Sequence, residues 1–137
     1  MKVTGKCLCE QVRYQINGPL HNASHCHCSM CRRQHGSAFA TYASVTPSNF
    51  TWLSGSELVE CYETANGGGW CFCRVCGATL AGMDNGQITS ITLGTVEGDP
   101  GITPQYHIFV DSKASWYTIS DKLVQYSQRK PDTPSDH

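Results

Sequence analysis

The sequence predicts a mainly β fold with very little helix, and three observations carry that expectation. Short runs rich in β-branched and aromatic residues recur along the chain, each closed by Gly, Asn or Pro. Only one stretch, 29–35, has helical character. Eight of the nine cysteines fall in three local clusters with metal-ligand spacing, so bound metal can stand in for part of the core that small β-sheets lack.

The elements follow in order. Val12, Tyr14 and Ile16 alternate with polar residues until Asn17-Gly18-Pro19 breaks the run, which predicts a strand and a turn. Residues 29–35 read as one or two helical turns, with Gly36 where a left-handed C-terminal cap belongs. The small, β-prone stretch 38–45, then 50–53 leading into Ser54-Gly55, then 58–62 read as successive hairpin strands. After Asp84-Asn85-Gly86, the run 87–93 is a further strand despite the imperfect alternation at Ile88 and Ser90. Residues 1–127 are expected to form a single domain, and 128–137, polar with two prolines, a frayed C-terminal tail.

Composition narrows the function classes. Ten basic and eleven acidic side chains leave a formal charge of -1, without the basic excess that neutralises phosphates, so no nucleic acid partner is expected. No stretch approaches the roughly 18 apolar residues of a membrane span. The N-terminal MKVTGKCLCEQVRYQI places Cys, Glu, Gln and Arg before any apolar run could form a signal-peptide core. A cytoplasmic protein is expected, with no membrane partner. In a reducing compartment, spaced cysteines are metal ligands or redox groups rather than disulfides, and nine cannot all pair within one chain.

The spacings carry the chemistry. In an extended strand, residues two apart project to the same face, so Cys7 and Cys9 can offer two thiolates to one ion. Cys73-Arg74-Val75-Cys76 does the same from a knuckle, with Gly77 available for the positive φ that closes it. Cys7, Cys9, Cys73 and Cys76 together make a closed four-thiolate structural zinc site. Cys26, Cys28 and Cys31 supply three thiolates from six consecutive residues, the pattern of a catalytic zinc with one open position. Two zinc ions per chain are therefore expected. His25 and His27 flank these cysteines, either as a fourth ligand or as a solvated pair. An extended segment points them away from the face of Cys26 and Cys28. Cys61 and Cys71 read as small buried hydrophobes.

These motifs resemble a known family. Gly5-x-Cys7-x-Cys9, Cys26-x-Cys28-x-x-Cys31-Arg32 with Gly36-Ser37, Phe72-Cys73-x-x-Cys76-Gly77 and His107-Ile108-Phe109-Val110-x-Ser112-Lys113-Ala114-x-Trp116 are similar to those of the glutathione-dependent formaldehyde-activating enzymes, which share a domain with centromere protein V. The resemblance spans residues 3 to 127. It implies a Mss4-like fold of small antiparallel β-sheets, a structural zinc on the first and third clusters and a catalytic zinc on the middle one.

It also implies an activity, the condensation of formaldehyde with glutathione to S-hydroxymethylglutathione, of the carbon-sulfur lyase class. A thiol at the open position is deprotonated by the metal; alternatively, the metal polarises the aldehyde oxygen. Arg32 or Arg33, next to Cys31, can hold a substrate carboxylate, or the two form a solvated surface pair. Two rival classes stand beside the enzyme. One is a non-catalytic zinc module that binds a protein partner; the other is a thiol-based redox or metal-buffering protein whose middle cluster releases zinc on oxidation.

Overall fold

A computed structural model describes residues 1–131 and is mainly β, with 43% of the described residues in strands and 15% helical. The strands are β1 (Lys2–Lys6), β2 (Arg13–Asn17), β3 (His21–Cys26), β4 (Ala40–Ser44), β5 (Phe50–Ser54), β6 (Val59–Glu63), β7 (Gly68–Cys73), β8 (Thr79–Asp84), β9 (Gln87–Thr92), β10 (Val96–Glu97), β11 (Tyr106–Ile108) and β12 (Val124–Gln125). One α-helix, α1 (Ser29–His35), joins β3 to β4 and ends at Gly36 in the left-handed conformation, as expected. No helix among the described residues is long and apolar enough to cross a membrane.

Two sheets form. The first has the order β10-β1-β2-β5 and the second β12-β11-β3-β4-β9-β8-β7-β6. Most pairs are antiparallel; β11 runs parallel to both β3 and β12. The largest apolar cluster takes Val3, Tyr14 and Ile16 from the first sheet and Ala43, Leu80 and Ile91 from the second. Tyr14 is wholly buried and its hydroxyl bonds Thr95 Oγ1 at 2.8 Å. Its register partner is Gly5, where an added Cβ would overlap the Tyr14 ring, so only glycine allows that crossing.

The expected strands exist, but 38–45, 50–53 and 58–62 do not form successive hairpins. β4 lies between β3 and β9, β5 joins the other sheet against β2, and β6 is an edge strand on β7. Burial explains the parting. Ala40, Tyr42 and Ala43 are all buried, so both faces of β4 are covered, as suits a strand in the interior of a sheet. β5 and β6 are mostly exposed and sit at sheet edges, and one-turn 3-10 segments at Pro47–Asn49 and Ser56–Leu58 redirect the chain between them.

Cys61 and Cys71 do not behave as separate small hydrophobes. Antiparallel pairing sets them directly opposite each other on β6 and β7, and they are joined by a disulfide bond. Of the expected tail, residues 132–137 lie outside the described residues. Gln128 contributes its carbonyl to the Phe109 N–H at 3.0 Å, and Arg129 lies over the Phe109 ring.

Candidate metal centres

The first cluster joins the two sheets. Cys7 and Cys9 are not in an extended strand: β1 ends at Lys6, and a turn follows in which Cys7 N–H bonds Val12 O at 3.0 Å and Glu10 N–H bonds Cys7 O at 3.1 Å. Two close local bonds thus make a knuckle where two-residue alternation predicted a strand. Cys73 ends β7, and the turn to β8 carries Cys76 and closes through Gly77 at φ 80°, whose N–H bonds Cys73 O at 2.7 Å. The four Sγ atoms lie within 4.8 Å of one another, with Cys7 to Cys9 at 3.6 Å and Cys9 to Cys73 at 3.8 Å.

Electrostatics within this cluster are uneven. Burial pushes the Cys7 thiol up to about 11. Burial also opposes ionisation of Cys76, but N–H donors from Ala78 and Cys9 and the thiols of Cys7 and Cys73 prevail and bring it down to about 6. Four soft donors at this separation, with backbone N–H groups turned on a sulfur, suit a tetrahedral thiophilic cation.

The second cluster is built at the end of β3. Cys26 is the last residue of that strand, Cys28 caps α1 by accepting the Cys31 N–H at 3.3 Å, and Cys31 is the buried residue of the helix. Their Sγ atoms again lie within 4.8 Å of one another, and all three side chains are buried. Two of the thiols resist ionisation: the neighbours Cys28 and Cys31, then burial, raise Cys26. The Cys26 thiol favours the Cys31 thiolate, but Cys28 and burial prevail and push Cys31 up. Crowded thiols that cannot share negative charge suit a divalent cation, which would make each ionise more readily. The donor set of both clusters thus fits a metal such as zinc.

Trp70, which packs with Cys26, Cys28 and Cys31, also lines a cavity of about 320 Å³ whose other walls are Met30, Arg33 and Gln34 from α1 and Tyr62 and Thr64 from the β6–β7 hairpin; none of the three cysteines lines it. Trp70 Nε1 donates to Tyr42 Oη at 2.7 Å, and that hydroxyl lies 3.7 Å from Cys31 Sγ, to which it donates. His35 Nε2 meets the same hydroxyl at 2.6 Å, and burial holds the imidazole down at about 4, so it is neutral and its Nε2–H donates. Burial, the Cys31 thiol next, makes the phenol itself harder to ionise.

Of the two arginines, Arg33 lines the cavity. Arg32 is not among the lining residues, and its Nε is buried without a partner among the described residues.

His25 and His27 join neither cluster, and His27 is not solvated. His25 Nδ1 bonds Thr41 Oγ1 at 2.7 Å; His27 is wholly buried and its Nε2 meets His107 Nδ1 at 2.8 Å. Burial lowers both histidines, His27 to about 4. Alternation along β3 had placed them away from the cysteine face, and packing by His107 and Phe39 turns that outward face into interior.

Tyr42, Trp70 and His35 escaped the reading of the sequence. Gly68-Gly69-Trp70 and the alternation within 40–44 are the local signals for two of them, but their convergence on Cys31 depends on how distant strands pair.

Fold and site together define a small β protein with one four-thiol and one three-thiol centre. The profile of the glutathione-dependent formaldehyde-activating enzymes matches residues 2–112, and the chain belongs to that family. A crystal structure of a Rhodobacter sphaeroides protein, a structural genomics target, is similar at TM-score 0.59 and 26% identity, covering 70% of this chain and 89% of that one. No curated protein matches the chain.

Proposed function

We propose that this chain is a zinc-dependent enzyme of the carbon-sulfur lyase type, which interconverts a small thiol plus an aldehyde with their adduct, glutathione plus formaldehyde with S-hydroxymethylglutathione in the first instance. The observation that carries this reading is the three-thiol group Cys26, Cys28 and Cys31, one donor short of a closed site, packed against Trp70, which lines a cavity with a cation on its wall. Cys26, Cys28 and Cys31 would hold the zinc, which would make a substrate thiol ionise more readily near neutral pH. Cys7, Cys9, Cys73 and Cys76 hold a second, structural zinc.

The surrounding residues have separate tasks. Arg33 presents a planar fork of donors to a substrate carboxylate. Met30, Tyr62 and Trp70 give the cavity apolar walls that limit water around the reacting carbon. Tyr42, held by Trp70 and His35, gives its proton to Cys31 Sγ as a hydrogen bond, which draws off part of the thiolate charge. In the forward direction the thiol proton leaves, sulfur forms a bond to the carbonyl carbon, and the carbonyl oxygen takes up a proton. Arg32 has no place on the cavity wall, so the carboxylate role falls to Arg33.

The test follows adduct formation from glutathione and isotope-labelled formaldehyde by NMR, against the spontaneous reaction. Acceleration by the wild type is expected, with KM for glutathione raised on the order of tenfold or more in Arg33→Ala, since a hydrogen bond to a charged group contributes about 1.5–3 kcal/mol. A rate no faster than the spontaneous one sinks the activity; an unchanged KM in Arg33→Ala sinks the carboxylate role.

A further inference from the structure

The late run 107–116 resembles the family's pattern, yet none of the roles above uses it. Its first residue is part of a buried hydrogen-bonded chain behind the three-thiol cluster. Parallel pairing of β11 with β3 sets His107 beside His25 and Ile108 beside Cys26. Ile108 and Tyr106 pack with Cys26, Cys28 and Cys31, so His107 stands on the opposite face, where its ring lies 4.9 Å from that of His25.

There His27 is held on several sides. Its N–H bonds Ile108 O at 3.0 Å, and its Nε2 meets His107 Nδ1 at 2.8 Å. His107 Nε2 meets both oxygens of Asp121 at 3.1 Å, and Asp121 Oδ1 accepts the Leu123 N–H at 3.0 Å. The rings of Phe39 and Tyr117 lie 5.2 and 6.3 Å from that of His27.

Both imidazoles are wholly buried, and His27 Nδ1 has no partner among the described residues. Apolar side chains would fill this space without desolvating polar nitrogens. What they would lack is direction: a hydrogen bond fixes the rotation of the residue that makes it. Because side chains alternate, His27 lies on the far side of the backbone from both Cys26 and Cys28, and a change in its tilt swings both sulfurs.

We propose that His107 and Asp121 are positioning residues for the three-thiol centre: they lock His27, and through it the flanking Cys26 and Cys28, in the arrangement that lets the three sulfurs share one ion. This rests on the reading of Cys26, Cys28 and Cys31 as a metal site. Asp121 is the variant to use, because its side chain is 44% exposed and its loss opens no core.

Zinc-loaded wild type, Asp121→Ala and Asp121→Asn are challenged with a graded chromophoric chelator, and zinc released per chain is counted alongside thermal unfolding. In Asp121→Ala the weaker-held zinc is expected to lose affinity on the order of tenfold, the range seen when an outer hydrogen-bond partner of a metal site is removed. The tighter-held zinc should be unchanged, and Asp121→Asn, whose amide oxygen still accepts from His107, should largely restore the affinity. Equal release in wild type and Asp121→Ala overturns the proposal, as does loss of both zincs together with a large fall in melting temperature. A wild type that carries no second zinc overturns instead the metal-site reading on which it rests.

Discussion

Tyr42 shows how much of the candidate site is carried by one side chain. Its hydroxyl accepts from Trp70, meets the neutral His35 and donates to Cys31. Tyr42→Phe leaves a buried indole N–H and an imidazole N–H without their partner, so a loss of about 1–3 kcal/mol in urea unfolding is expected. An unchanged urea midpoint would remove this hydroxyl from the account. His35 adds a pH dependence. Its folded value of about 4 lies below its ordinary 6.5, so the unfolded chain takes up its proton first as pH falls. Its contribution to stability is therefore intact above about 6.5 and is lost progressively towards 4. The midpoint difference between pH 7 and pH 5 should shrink in His35→Gln; a difference as large as in the wild type contradicts the buried neutral state. The cysteine groups were legible because their spacing is local, whereas Tyr42 and His35 acquire their roles only when β4 and α1 meet.

At the level of elements, local composition marked several strands and missed their partners. Alternation located β2, and β-branched or aromatic content bounded by turn residues located β4, β5, β6 and β9, to within a few residues, but register and partner depend on the burial each strand meets in the fold. Cys61 and Cys71 show the cost of that gap. Residues 10 apart in sequence become one cross-strand pair only once β6 is known to lie on β7. The bond closes a short loop behind the strands that carry Tyr62 and Trp70, and its removal is expected to cost at most about 3 kcal/mol on the loop-entropy estimate. Cys61 is exposed, so a thiol reductant can reach it. Mass spectrometry of alkylated protein should find the two joined before reduction, and the melting temperature should fall after it. Both thiols free before reduction contradicts the pairing. Gly5→Ala tests the other close approach: a methyl overlapping the Tyr14 ring should destabilise by about 1–3 kcal/mol.

Over the whole molecule, the four-thiol centre takes two residues from the turn that joins β1 and β2 in one sheet and two from the turn between β7 and β8 in the other. A metal held there would crosslink the two sheets, flanking the apolar cluster that Cys7 and Cys73 also enter. The three-thiol centre takes its residues from the end of β3 in the second sheet and from the start of α1. This asymmetry is the physical basis for the unequal roles, and spacing alone hinted at it through four donors against three. The most direct test is zinc counted per chain by elemental analysis, together with unfolding, in wild type, Cys28→Ser and Cys73→Ser. Two zincs in the wild type, one zinc with the fold retained in Cys28→Ser, and loss of the fold in Cys73→Ser are the predicted results. A single zinc in the wild type, or an intact fold in Cys73→Ser, would contradict the division between a centre that holds the sheets together and one left open for chemistry.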